Sequence, residues 1–287
     1  MKSLAILYFM ILVSLGHFKG SEIIDIWGNT TTPVNHSVRL YVFRPEKAQA
    51  NAPAIIICPG GSYHHLGMKH EGANVAKWLS SQGITAFVLQ YRVALGGWQY
   101  PAMIQDLQRS IQIVRENAEY YGINPEAVGV MGFSAGGHLA GTAMEYYEHN
   151  YLAELGILPA VSLKPDFGVM VYPVVSMHDS IAHQRSKKSL LGKNPDKELE
   201  NLMSLEDNIP DVMPPVLIIH AKDDPVVDYR NSSYFYQNLK EKGKTADLII
   251  YPTGGHGFGV KRTTKPITPP WQSDCLMWLK KQGLISE

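Results

Sequence analysis

Hydrophobic residues repeat along this chain with two different periods, and the periods take turns. Ser37–Phe43 alternates residue by residue, as a strand does when one face meets a core. Ala54–Cys58 (AIIIC) is apolar throughout, which predicts a strand buried on both faces. Glu71–Ser81 then carries Val75, Trp78 and Leu79 at helical spacing. Ile84–Gln90 is β-rich. Pro101 opens a long helix striped by Ile104, Leu107, Ile111, Val114, Ala118 and Tyr121; Gly122 ends it, and Asn124-Pro125 turns the chain. Ala127–Met131 is the next strand, and a small-residue helix runs from Ala135 to about His149. Phe167–Tyr172, Val216–Ala221 and Leu248–Tyr251 read as strands, and Tyr229–Lys242 and Trp271–Lys281 as helices.

Strand and helix in alternation require a mostly parallel central sheet with helices on both faces, an α/β fold. Residues 176–212 break the alternation. They are polar and irregular, with Leu190-Leu191-Gly192 inside, and are expected to form a small cap-like insertion over the C-terminal edge of the sheet, where such folds bind ligands. No internal repeat or charged linker divides the chain, so residues 22–287 are expected to be one domain.

The first 21 residues stand apart. Leu4–Leu15 is an apolar run with the length of a signal-peptide core, short of the roughly 20 residues a membrane span needs. Cleavage is expected near Gly20 or Ser21, with an uncleaved anchor as the alternative. The chain is therefore expected to be exported, periplasmic or secreted, with no stable membrane span in its mature part. Lys+Arg and Asp+Glu number 26 each, which argues against a nucleic-acid partner. Oligomeric state is left open. Cys58 and Cys275 lie in apolar surroundings without metal-ligand spacing and are expected to be free buried thiols.

Gly132-Phe133-Ser134-Ala135-Gly136 carries the candidate chemistry. A serine between glycines, on a sharp strand-to-helix turn, presents its hydroxyl while strand and helix approach without Cβ clashes. That hydroxyl needs a base. His256, in Gly254-Gly255-His256-Gly257, follows the last strand in a loop able to lay its ring over the serine; His178, His183 and strand-borne His220 fit less well. The acid is expected after the preceding strand, where Asp223 and Asp224 compete. Asp224 is preferred because Pro225 fixes the turn and Val226-Val227 packs back inward, leaving Asp223 as a solvated turn residue or cap. Pro59-Gly60-Gly61-Ser62-Tyr63 reads as an oxyanion loop, with Gly61 or Ser62 giving one backbone N–H and Ala135 the other. Tyr63, His64 and Trp98 are candidate substrate contacts. Glu71 is expected to cap a helix, and Arg92 to be a structural ion-pair partner.

Together, Cys58-Pro59-Gly60-Gly61-Ser62-Tyr63, Glu71-Gly72, Tyr91-Arg92, Tyr100-Pro101 with Asp106, Val130 through Ala140, Leu190-Leu191-Gly192, Asp223 through Val227 and Gly255-His256-Gly257-Phe258 resemble the secreted bacterial carbohydrate esterases of acetyl xylan or feruloyl esterase type. These are α/β-hydrolases related to the prolyl oligopeptidase and dienelactone hydrolase branches. Two positions depart from the pattern: Ser62, where relatives commonly have glycine, and Asp228, where many have proline. The resemblance implies a serine esterase that removes acetyl or other acyl groups from plant polysaccharide fragments without metal or organic cofactor. The alternatives are a general carboxylesterase or lipase, a small peptidase, and a carbohydrate-binding protein without catalysis.

Overall fold

The computed structural model describes Phe18 and residues 21–28, 38–47, 51–260 and 269–285. The proposed signal segment lies almost wholly outside the described residues. Eight strands form one sheet: β1 (Glu22–Asp25), β2 (Arg39–Phe43), β3 (Ala52–Cys58), β4 (Thr85–Gln90), β5 (Ile123–Phe133), β6 (Gly168–Val171), β7 (Val216–Ala221) and β8 (Ala246–Tyr251). Their order is β1-β2-β4-β3-β5-β6-β7-β8. The first two pairings, β1 with β2 and β2 with β4, are antiparallel, and all later ones are parallel. The continuous apolar runs are explained by this arrangement. Strands β3 and β7 are buried at every position, because helices cover both faces.

Helices α1 (Asn74–Ser81), α2 (Ala102–Glu116), a short α3 (Ala118–Tyr121) and α4 (Ala135–Glu145) precede the insertion; α7 (Arg230–Glu241) and α8 (Trp271–Lys281) follow it. One core layer gathers Ile56, Phe87, Leu107, Ile111, Val130 and Ile218, and the opposite layer gathers Ile55, Leu79, Phe133, Val169, Leu217 and Trp271. Neighbouring residues of one strand thus go to opposite layers, as the pleat requires.

Several boundaries differ from expectation. The helix expected from Glu71 begins as a π-type turn over Lys69–Ala73. The long helix breaks at Asn117, whose side-chain amide turns back onto the Ile113 carbonyl at 2.7 Å. Helix α4 stops at Glu145, where Tyr146 leaves helical dihedrals at φ −104° and ψ 28°; its hydroxyl donates to the Leu202 carbonyl at 2.5 Å.

Residues 176–212 are more regular than their polarity suggested, with α5 (Gln184–Leu191), α6 (Lys197–Leu202) and a 3-10 turn over Leu205–Asp207. The insertion leaves the C-terminal end of β6 and is seated on the core. Leu190, Leu191, Met203 and Leu205 are buried, and the Met203 carbonyl accepts a hydrogen bond from His138 Nε2 at 2.8 Å. Among the described residues no helix is long and apolar enough to cross a membrane. Cys58 and Cys275 are free and buried, and burial pushes the Cys275 thiol up to about 12.

Candidate active site

Ser134 stands alone between the end of β5 and the start of α4, at φ 53° and ψ −121°. Such a left-handed position costs a non-glycine residue about 1–3 kcal/mol and persists only when the surroundings enforce it. They do so here through backbone bonds. Ser134 N–H donates to the Val171 carbonyl at 3.0 Å, and its own carbonyl accepts from Val174 at 3.1 Å and Gly137 at 2.9 Å. A Cβ on Gly132 would lie 2.0 Å from the Gly136 carbonyl oxygen, and one on Gly136 would lie 2.0 Å from that of Cys58. The turn admits only glycine at both places.

His256 and Asp224 complete a hydrogen-bonded line. His256 Nε2 is 3.0 Å from Ser134 Oγ, and Nδ1 is 2.6 Å from Asp224 Oδ2. A carboxylate at Nδ1 keeps the proton there and leaves Nε2 as the acceptor facing the serine. The other oxygen of Asp224 accepts from Val226 N–H at 2.8 Å and Val227 N–H at 3.0 Å. Burial alone would raise the Asp224 pKa, but bonds from His220 and His256 outweigh it and hold the carboxyl well below its usual range. Asp223, expected to be a solvated turn residue or a cap, is an exposed turn residue that also accepts the Gly255 N–H at 2.8 Å and pins the base of the His256 loop.

Residues missed or misassigned in the sequence build the frame around this line. His220 is fully buried in β7. Its Nε2 faces Asp224 Oδ2 at 3.2 Å and the Val227 carbonyl at 3.1 Å, while Nδ1 lies 2.7 Å from Ser232 Oγ. Nε2 must carry the proton, so the Ser232 hydroxyl donates to Nδ1. Glu71 caps no helix; the helical turn over Lys69–Ala73 has no side-chain cap. Its carboxylate accepts the Gly60 N–H at 3.0 Å and the Tyr172 hydroxyl at 2.8 Å. Tyr172 in turn accepts the Gly259 N–H at 3.1 Å, and its ring lies 4.7 Å from that of His256. One buried acid therefore ties the glycine loop after β3 to the loop that carries His256. Nothing in the sequence around Glu71-Gly72 signals this role, because Tyr172 lies 101 residues away.

That glycine loop rests on the serine. A Cβ on Gly60 would come within 2.9 Å of Ser134 Cβ. Ser62 and Tyr63 take left-handed φ values of 59° and 56°. Among the described residues, the N–H groups of Gly61, Ser62 and Ala135 donate to no protein acceptor. Tyr63 does not suit the substrate contact expected of it. Its ring is buried in the core and its hydroxyl donates to His138 Nδ1 at 2.8 Å, because the left-handed backbone turns the side chain inward. His64 remains half-buried beside His65. Trp98 stacks under the Arg92 guanidinium at 4.8 Å and lines a cavity of about 280 Å³ with His65, Leu66 and Arg92, whose lining does not include Ser134. Arg92 also pairs with buried Asp106 at 2.9 Å, as expected. From the insertion, His183 approaches the site: burial, then the neighbouring charges of His256 and Arg185, hold its pKa below the ordinary imidazole value.

This geometry can be set beside known proteins. A profile of the BD-FAE family matches residues 40–239. The chain belongs to the BD-FAE family. This BD-FAE chain is 36% identical over 227 residues to an acetylxylan esterase of Xylanibacter ruminicola, covering 77% of the chain and 44% of that relative. It is 31% identical over 208 residues to endo-1,4-beta-xylanase B of Butyrivibrio fibrisolvens, covering 72% of the chain and 32% of that relative. The chain thus spans less than half the length of these curated relatives. Among solved structures, an acetyl ester-xyloside bifunctional hydrolase from Caldicellulosiruptor lactoaceticus matches with a TM-score of 0.83 at 35% identity, covering 92% of this chain and 97% of that one. Propionate-bound esterase Est2 of Thermogutta terrifontis, 20% identical, shares the fold with a TM-score of 0.78, over 94% and 97% of the two chains. The BD-FAE chain has the α/β-hydrolase fold.

Proposed function

We propose that the protein is a serine esterase that hydrolyses acyl esters, chiefly acetyl, on plant polysaccharide or oligosaccharide fragments. The observation that carries this reading is the continuous line from Ser134 Oγ through His256 to Asp224, at 3.0 and 2.6 Å. His256 Nε2 takes the Ser134 proton as Oγ attacks the ester carbonyl. The tetrahedral oxyanion rests on the N–H of Ala135 and that of Gly61 or Ser62. The sugar alcohol leaves with the proton from His256, giving an acyl-enzyme. Water, deprotonated by His256, then attacks the acyl carbon and releases the acid, returning the proton to Ser134. Asp224 stays ionised and fixes the imidazole. The names of the Xylanibacter and Caldicellulosiruptor relatives support acetylated xylan fragments as the substrate class.

On this reading residues 22–287 form the catalytic unit, 176–212 cap it, and the Leu4–Leu15 run directs export. N-terminal sequencing of the protein from the periplasm or medium checks the last point: a chain still beginning at Met1 would refute cleavage.

The deciding experiment measures acetate from acetylated xylo-oligosaccharides and p-nitrophenol from its acetate, with wild type and Ser134→Ala. Wild type is expected to cleave both, and the variant to lose at least about 10⁴-fold in kcat. Cleavage of the chromogenic ester alone would remove xylan from the proposal. A variant as active as wild type would overturn it.

A further inference from the structure

Among the described residues, four buried side-chain polar atoms lack a hydrogen-bond partner, and three of them belong to two neighbouring acids. They are both carboxylate oxygens of Glu145 and Oε2 of Glu206. Glu145 ends α4; Glu206 lies in the 3-10 turn at the foot of the insertion, packed against that helix. The two residues are 5% and 8% exposed. Glu206 is the neighbouring charge that Glu145 feels most strongly, followed by Lys242 and Asp207. An ionised carboxylate buried without donors is strongly unfavourable, and a protonated one still leaves its polar atoms unmatched.

The surface beside Glu206 supplies what its free oxygen lacks. His178, Glu206 and Asp207 each offer one donor atom, and the three atoms lie within 4.8 Å of one another. A single ion with bonds of about 2.0–2.4 Å spans such a set. His178 Nε2 and Asp207 Oδ2 are 2.7 Å apart, with side chains 30% and 50% exposed, so an ion reaches the buried oxygens from solvent through them. The Ser176 hydroxyl accepts the His178 N–H at 3.1 Å and helps to fix His178 at the site. Burial disfavours the charged form of both Glu145 and Glu206. Lys242 donates its Nζ to the Ile209 carbonyl at 3.1 Å rather than to either acid. A divalent ion supplies the positive charge that these acids need to stay ionised.

We propose that His178, Glu206 and Asp207, backed by Glu145, bind one divalent cation that ties the 176–212 insertion to α4. One imidazole among carboxylates suits Zn²⁺ or Mn²⁺ over Mg²⁺. The ion lies outside the Ser134 line, and the proposal stands whether or not the esterase reading does. No sequence spacing announces the site, because His178 and the two acids come from opposite ends of the insertion.

The test uses the whole protein, stripped with EDTA, dialysed and titrated calorimetrically with ZnCl₂ or MnCl₂, and melted with and without ion. Wild type is expected to take up one ion, Zn²⁺ at least about tenfold tighter than Mn²⁺. Its Tm should rise by about 5 °C or more at a hundredfold excess over Kd. Asp207→Asn and His178→Gln, at partly exposed positions that tolerate the change, should each weaken uptake at least about tenfold. Asp179→Asn, an exposed acid of the same insertion, should bind as wild type does. Absence of one-to-one uptake, or uptake unchanged in both Asp207→Asn and His178→Gln, would overturn the proposal. So would a stripped protein whose Tm ignores the ions and falls steeply between about pH 5 and 8, since protons would then be neutralising the acids.

Discussion

Replacing Glu71 with Gln separates the role of this buried acid from mere packing. Gln has the same shape but one acceptor oxygen and one NH₂ group, whereas Gly60 N–H and the Tyr172 hydroxyl both donate to the native carboxylate. One donor must lose its partner. A hydrogen bond to a charged group contributes about 1.5–3 kcal/mol, so the loss is expected to be about 2 kcal/mol. If the Gly60 bond is lost, the loop that presents Gly61 and Ser62 loosens; if the Tyr172 bond is lost, the platform under His256 does. Removing a whole oxyanion donor lowers kcat by roughly 10²–10³, and a loosened one should lower it by about 10- to 100-fold. Both donors face Glu71 rather than open space beside Ser134, so KM should stay within about twofold while kcat falls. Steady-state kinetics on p-nitrophenyl acetate, with a melt to show that the variant is folded, reads this directly. A folded Glu71→Gln protein with wild-type kcat would refute the brace, and a rise in KM at unchanged kcat would place Glu71 in substrate binding instead.

Two further outcomes follow from the same frame. Asp224→Asn should lower kcat by about 10⁴, as loss of the imidazole's orienting carboxylate does, whereas Asp223→Ala, which frees only the Gly255 N–H, should cost about 1 kcal/mol and less than about tenfold in rate; equal effects would mean the acid is misassigned. His138 is buried, and burial lowers its pKa to about 4, despite the Met203 carbonyl that its ring N–H meets. The unfolded chain takes up a proton near pH 6.5 but the folded one does not until about pH 4, so stability is full above about 6.5 and about 3 kcal/mol is lost on acidifying to about 4. Urea melts of His138→Gln across that window should be flatter than wild type by that amount, and parallel curves would refute the assignment.

The fold was legible because its periods are long and its signals agree. Apolar strands such as Ala54–Cys58 admit one reading, and Gly132-x-Ser134-x-Gly136 states a steric requirement that local sequence alone can satisfy. The candidate line was legible for the same reason: each member sits on a loop directly after a strand. What escaped were relations across distance. Glu71 looked like a helix cap because its charge was visible and its partners, Gly60 after β3 and Tyr172 after β6, were not. Tyr63 looked like a contact because it follows the glycine loop; only its left-handed backbone, set by the fold, turns it toward His138. Residues 176–212 read as irregular since their helices are short and take their order from Leu190, Met203 and Leu205 packing onto the core. β1 was missed because Glu22–Asp25 is a mostly exposed edge with no alternation.

The span between Ser134 and His256 has a bearing on synthesis. The two meet across 122 residues, and β8 and its following loop are the last parts of the sheet to leave a ribosome. A growing chain can place the serine on its turn once β3, β5 and β6 are available, yet until residue 256 emerges that serine has no proton acceptor. The Tyr172–Gly259 bond closes at the same late moment. On the proposed reading, partly made chains are inert. The first turnover of an ester then marks the point at which the whole sheet has assembled, and ester cleavage during timed translation becomes a clock for completed folding.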